Sequence, residues 1–326
     1  MDPHYEQHYH ELEDRQWWFV ARRQIVFQLV QQLGLSPHAR ILEIGCSTGP
    51  FLSQLREAGY RQLSGIDISA AAIAGCHARG LHDCHVMDAT QLDFADQSFD
   101  LVIASDVLEH LEQDQQAAQE WLRVLVPGGR LILFVPAFQC LWSRHDEVNH
   151  HFRRYTRRHL VRVLRTAGWD VERSSYWNAA LLPAVALVRW AGRLWDRLRP
   201  NKAAQDSPNS RPGTSARSVT EPTIATVSAT AEPVSAQAVL RPRTNRQALE
   251  PTGNLFQPQN GVNALLIRWM GLENGCLSRG YSLPAGVSTF AIARRPVVAS
   301  RAEIQATAKP VQQPTDLQTI EATSAV

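Results

Sequence analysis

Short apolar runs and stretches of helical apolar spacing take turns along the first 180 or so residues. The runs predict strands over 40–44, 62–67, 85–87, 99–104, 130–135 and 170–176, and the periodic stretches predict helices over 17–33, 51–58, 70–79, 113–125 and 157–167. Strand and helix in alternation imply right-handed crossovers, hence an α/β fold with a mostly parallel sheet and helices on both faces. The Pro-Gly-Gly at 127–129 reads as a turn leading into the fifth strand.

The pattern then breaks. Residues 201–253 are rich in Ser, Thr, Ala, Pro and Gln without apolar period, and they read as a disordered loop, as does the tail over 297–326. Between them the order returns. Leu265, Leu266, Trp269, Met270 and Leu272 have helical spacing, and 286–296 (GVSTFAIARRP) reads as a strand in need of a sheet. The chain therefore divides into an N-terminal helical lid or packing segment (1–36), a central domain (37–176), an apolar helical insertion (177–200 and 254–285) and a final strand (286–296).

Composition removes whole classes of function. With 326 residues, 44% of them hydrophobic and 20% charged, the chain can bury a full core and is neither fibrous nor wholly disordered. Five cysteines, odd in number and without a CxxC pair, argue against a disulfide framework and a structural zinc site, and suit a reducing cytoplasm. The first thirty residues lack the apolar centre of a signal peptide. The longest apolar run, 179–188, is half of the roughly 20 residues that cross a bilayer. A net charge of +2 gives no nucleic-acid signature, so no nucleic-acid partner is expected.

The stretch ILEIGCSTGP, 41–50, carries the first candidate chemistry. A dinucleotide fingerprint needs GxGxxG, and a triphosphate loop needs GxxxxGK[ST]; this turn offers GxxxG, with no lysine in the first two hundred residues. What it does offer is Glu43 near the strand end, small residues through Gly45, Cys46 and Gly49, and Pro50 at an early helical position. A carboxylate there tolerates a cation close by, as a phosphate site would not. Asp67 closes the second strand, where an acidic side chain can accept two hydrogen bonds from ribose hydroxyls. Asp88 closes the third strand and can take an adenine amino group, and Ser105 closes the fourth. Together these residues fit an adenosine joined to something positive.

ILEIGCSTG, GIDIS, MDATQLDFADQSFDLVIASDVLEHL and LRVLVPGGRLILFVP resemble, in order and spacing, the successive motifs of class I S-adenosylmethionine-dependent methyltransferases. WWFVARR, HHFRRYTRRHLVRVLRTAGWDVERSSYWN and LPAGVSTFAIARRP are similar to a bacterial methyltransferase type 11/12-like subgroup. The resemblance implies S-adenosylmethionine as cofactor. It implies a cofactor site of Glu43, Gly45, Cys46, Gly49, Asp67, Ile68, Asp88, Ala89 and Ser105. It also implies a Rossmann-like seven-stranded sheet whose last strand lies antiparallel beside the sixth, with the helical insertion between strands six and seven. The expected activity is methyl transfer to a small-molecule or lipid-linked acceptor. Two rivals are a non-catalytic cofactor- or partner-binding protein of the same fold and a nucleotide-dependent oxidoreductase, against which the missing third glycine weighs.

Transfer from a sulfonium needs alignment first and a base only if the acceptor must lose a proton. His110, after the fourth strand, and His145 and Asp146, after the fifth, are the candidate catalytic groups. Nothing in the spacing of His145, Asp146, His150 and His151 sets a metal geometry, and no metal site is expected. Arg154, Arg158, Arg162 and Arg165 recur at helical spacing and read as a solvated face or a contact for an anionic substrate or headgroup. Trp17 and Trp18 cannot both face one way, which sends one to the pocket or a partner. The Trp- and Arg-studded pieces 177–200 and 262–272 read as a helical hairpin capping the substrate site, and equally suit peripheral contact with a bilayer. The expected location is the cytoplasm, including the inner membrane face.

Overall fold

The computed structural model describes residues 10–198 and 260–297. The two segments expected to be disordered, 201–253 and most of 297–326, lie outside the described residues. The sheet has seven strands in the order β3-β2-β1-β4-β5-β7-β6. These are β1 (Arg40–Ile44), β2 (Gln62–Asp67), β3 (Cys84–Val86), β4 (Phe99–Ser105), β5 (Leu125–Pro136), β6 (Asp170–Trp177) and β7 (Ser288–Arg294). β1 to β5 run parallel; β7 is antiparallel to both of its neighbours.

Helices cover both faces, so the strands read as nearly continuous apolar runs. One face packs Ile41, Leu101, Ile103, Phe134, Phe290 and Ile292 against α1 (Trp17–Gln32), α2 (Pro50–Glu57) and α3 (Ala70–Ala78). The alternate residues Leu42, Ile44, Val102, Ala104, Leu133 and Ala293 point the other way, against α4 (Asp114–Val124) and α6 (Arg157–Thr166). Helix starts follow local chemistry. Pro50 opens α2, Ser69 accepts from the Ala72 N–H at 3.1 Å to cap α3, and Thr156 accepts from the His159 N–H at 3.1 Å to cap α6. A short α5 (Arg144–Val148) follows β5 and begins with a capping box between Ser143 and Asp146.

β7 pairs antiparallel with β6 as expected, Ser288 opposite Trp177, and it also pairs along β5, which makes it internal to the sheet. The Pro-Gly-Gly turn lies inside β5 as a register shift opposite Phe99 to Leu101, where Gly128 takes φ +84° and donates to the Arg295 carbonyl at 2.9 Å. The insertion's two helices each dock on the domain, and their segments are joined where Glu273 accepts from the Ala179 N–H at 3.0 Å. α8 (Asn260–Ser278) packs along α1, its Asn274 accepting from Trp177 Nε1 at 2.8 Å and donating to the Ala21 carbonyl at 2.9 Å. α7 (Leu182–Leu198) lies by the loop after β5, where Arg189 reaches the Leu141 carbonyl.

Candidate functional site

The carboxyl ends of β1, β2 and β4 meet where the strand order reverses, the usual ligand position of an open α/β sheet. The turn after β1 is fixed by the Gly45 and Cys46 N–H groups, which both donate to the Ile66 carbonyl at 2.8 and 3.0 Å. Gly45, Ser47 and Gly49 all have positive φ, at 72°, 48° and 80°. A Cβ on Gly45 would stand 2.5 Å from Val107 Cγ2, and one on Gly49 would stand 2.5 Å from Leu81 Cδ1. Both glycines are therefore required by conformation and by space.

Two carboxyls flank this turn. Asp67 accepts from the Ser47 N–H at 3.0 Å and the Ser69 N–H at 2.9 Å, binding the turn to the end of β2; burial nevertheless outweighs these bonds and raises its protonation. Glu43 is 8% exposed, and its Oε2 has no hydrogen-bond partner. Burial first, then the nearby Glu13, push its carboxyl well above the ordinary range. A buried acid short of one partner is a ready seat for a cation. Cys46 is buried with its sulfur 3.8 Å from that of Cys76; hydrogen bonding to Cys76 and Cys84, then burial, raise its thiol, which makes it a packing group.

The other expected cofactor residues line the same edge. Ile68 is 74% exposed beside Asp67 and offers an apolar surface. Asp88 is exposed and accepts from the Thr90 N–H and Oγ1, both at 2.7 Å, while the Ala89 carbonyl accepts from Trp121 Nε1 at 2.8 Å. Ser105 Oγ lies 3.4 Å from Asp106 Oδ2.

On the β4 and β5 side the structure brings His110, His145 and Asp146 together with His151. The His110 and His151 rings are 4.6 Å apart, and those of His145 and His151 are 6.2 Å apart. Burial lowers both His110 and His145 to about 4, so each is a neutral imidazole near neutrality. Asp146 revises its expected role. It is fully buried, and its carboxylate is taken by Arg154 Nε at 2.7 Å, His151 Nδ1 at 2.9 Å and the Ser143 N–H at 2.8 Å, leaving it a structural hub rather than an open base. Arg154 is thereby a buried partner, whereas Arg158, Arg162 and Arg165 stand exposed around a cavity of about 390 Å³ between α6 and β6, away from the glycine turn.

Several site residues had no signal in the pattern. Ser47 Oγ lies 3.0 Å from His10 Nδ1, and Thr48 Oγ1 donates to Glu13 Oε2 at 3.2 Å, so the segment before α1 closes directly over the glycine turn. Arg22 of α1 sits in an aromatic cage, 4.2 Å from the Trp177 ring centre and 4.4 Å from that of Phe134. From there it reaches Ser288 Oγ at 2.7 Å and Asp106 at 3.4 Å. Trp17 and Trp18 are both half-buried against the core, Trp18 edge-on to Trp177 at 4.9 Å, so neither is sent out to a partner. The reading of 1–36 as a lid or packing segment put this stretch near the site without singling out His10, Glu13 or Arg22.

Residues 42–133, which span β1, the glycine turn, Asp67, Asp88 and β4, match the family described as a methyltransferase domain. This stretch of the chain thus carries the likeness to a methyltransferase domain. A demethylmenaquinone methyltransferase of Mycolicibacterium paratuberculosis is 29% identical to this chain over 197 residues, 57% of the present chain and 79% of that protein. A "Probable tRNA methyltransferase 9B" of Bos taurus is 35% identical over 121 residues, 36% of this chain and only 24% of that protein. The solved S-adenosylmethionine dependent methyltransferase of Mesorhizobium loti superposes with a TM-score of 0.41 at 19% identity, covering 48% of this chain and 89% of that one. S-adenosylmethionine is the cofactor of this domain class. The residues present fit it: a turn that a Cβ would block, a buried Glu43 oxygen without a partner and the Asp67 carboxylate stand at one strand edge. Among the described residues, no helix is long and apolar enough to cross a membrane.

Proposed function

We propose that the chain transfers a methyl group from S-adenosylmethionine to a small-molecule or lipid-linked acceptor held at the carboxyl ends of β4 and β5. The observation that carries this reading is the pairing of the orphaned Glu43 oxygen with the glycine turn and Asp67 at the point where the strand order reverses. When bound, the cofactor supplies an electrophilic methyl and its own leaving group. The chain's part is positional. Asp67 and the Ser47 N–H fix the turn against β2, Ile68 offers an apolar surface for a base, and Glu43 meets positive charge. His10 and Glu13 close over the turn and exclude water, and Arg22 pins α1 to Asp106. His110 and His145, neutral near pH 7, are the groups able to take a proton from an acceptor that must lose one.

The lipid-linked acceptor is favoured by exposed apolar side chains on the two insertion helices. Leu187, Val188 and Trp190 stand out from α7, and Leu265, Trp269 and Leu272 from α8, a composition suited to peripheral contact with a bilayer through 177–200 and 262–272. The relative named as a demethylmenaquinone methyltransferase is matched over 197 residues. The relative named for tRNA matches over a much shorter stretch. Incubating the purified protein with methyl-labelled cofactor and a lysate separated into lipid, small-molecule and RNA fractions tests the reading. Label in the lipid or small-molecule fraction supports it; label confined to RNA, or none despite cofactor binding, overturns the acceptor or the catalysis respectively.

A further inference from the structure

Glu109, in the single turn of 3₁₀ helix after β4, is 1% exposed, and neither of its carboxylate oxygens has a hydrogen-bond partner. As an anion such a group is costly unless a cation answers it. Two imidazoles adjoin it. One ligating atom from each of Glu109, His110 and His151 lies within 4.8 Å of the other two. Each imidazole has a second partner that fixes its ring. His151 Nδ1 lies 2.9 Å from Asp146 Oδ1, which Arg154 holds at 2.7 Å, and His110 bonds to the Asn149 backbone. The Phe152 N–H donates to the Glu109 carbonyl at 2.8 Å, tying the segment that carries His151 to the turn that carries the other two.

Ligating histidines characteristically hold a carboxylate or carbonyl with the nitrogen that does not bind the ion. Two histidines with one carboxylate form a donor set suited to first-row divalent ions and leave coordination positions open. We propose that Glu109, His110 and His151 bind one divalent first-row transition-metal ion at the carboxyl end of β4. This proposal departs from the expectation of no metal. That expectation weighed His145, Asp146, His150 and His151 by their spacing, whereas the ligands come from two segments and Asp146 serves behind His151. The open positions suit an acceptor oxygen, so the acceptor class this favours is hydroxylated, and with the ion bound His110 is a ligand, which leaves His145 to take the proton; that consequence rests on the methyl-transfer reading, while ion binding does not. The competing account of Glu109 is a permanently protonated, neutral acid.

Untagged full-length protein, stripped with a chelator, is titrated with cobalt(II) chloride. The expected result is one tightly held equivalent with ligand-field absorption, and two hyperfine-shifted exchangeable imidazole resonances in the proton NMR spectrum, from His110 and His151. Glu109→Gln keeps the side-chain volume and should weaken cobalt binding by about 10-fold or more, with affinity for S-adenosylhomocysteine unchanged. A wild-type protein without a stoichiometric cobalt site, or a Glu109→Gln protein that binds cobalt as tightly as wild type, overturns the proposal. Should that variant fail to fold, the wild-type spectrum decides: fewer than two shifted imidazole resonances has the same force. Cofactor affinity is read separately, so failure of the metal site and failure of the methyl-transfer reading are distinguishable.

Discussion

Replacing Glu43 by Gln sets stability against binding. In the ligand-free protein Glu43 is buried with one oxygen unpartnered, so its charged form bears an unmet solvation of roughly 1–3 kcal/mol. Gln has nearly the same shape and no charge. The ligand-free variant should therefore melt about 2–12 °C higher near neutral pH, taking ~2–4 °C per kcal/mol for a domain of this size. The pH dependence has a definite sign. Because the folded-state carboxyl protonates well above its ordinary value of 4.5, the unfolded chain releases its proton first as pH rises, and wild-type stability declines through that window. The advantage of Gln should be absent near pH 4 and grow toward neutrality. Binding moves the other way. Removing a charge-assisted contact to a positive ligand costs about 1.5–3 kcal/mol, a loss of roughly 10- to 150-fold in S-adenosylmethionine affinity. Scanning fluorimetry across pH and calorimetric titration measure the two effects. A variant that melts lower than wild type at neutral pH, or that binds cofactor within twofold of it, would refute the placement of a cation beside Glu43.

Asp67→Ala removes the acceptor of the Ser47 and Ser69 N–H groups, and calorimetry should show cofactor affinity lowered about 10-fold or more. Gly49→Ala places a methyl 2.5 Å from Leu81 in a left-handed backbone, and chemical denaturation should show a loss of about 1–3 kcal/mol. Ending the chain at Pro284 deletes β7 from between β5 and β6, and the product should aggregate or show no cooperative melt; a folded, cofactor-binding truncation would contradict the sheet order.

How much of this was legible in the chain depends on how local the cause was. Strand and helix identity followed from periodicity, because each element's apolar positions answer to the layer it faces: Ile41 and Leu42, adjacent in sequence, enter opposite cores. The glycine turn was legible because Gly45 and Gly49 answer to local backbone conformation. The Pro-Gly-Gly segment was misread because a bulge and a turn demand the same residues, and only the pairing of Gly128 with Arg295 across the sheet separates them. Arg22 and Glu13 left no trace in the pattern. Their roles come from packing α1 and the segment before it against β4, β7 and the glycine turn, contacts between residues far apart in the chain. Glu109 and His110 were read as part of a strand-end motif, but their burial beside His151 depends on the loop after β5 folding back.

The internal position of β7 bears on how the chain is made. Strands β1 to β5 can assemble as they leave the ribosome, each new parallel strand finding its neighbour already in place. β6 cannot, since its only strand partner among the described residues is β7, whose last residue, Arg294, follows Trp177 at the end of β6 by 294 − 177 = 117 residues and Pro136 at the end of β5 by 294 − 136 = 158 residues. At translation speeds of about 5–20 residues per second, β6 waits roughly 6–23 seconds and the open side of β5 roughly 8–32 seconds with unpaired backbone. Throughout that interval the nascent sheet presents a bare edge to other chains. The intervening segment sets the length of this exposure, so its size is a timing parameter of biogenesis: shortening it should reduce misassembly during synthesis even where the finished fold is equally stable.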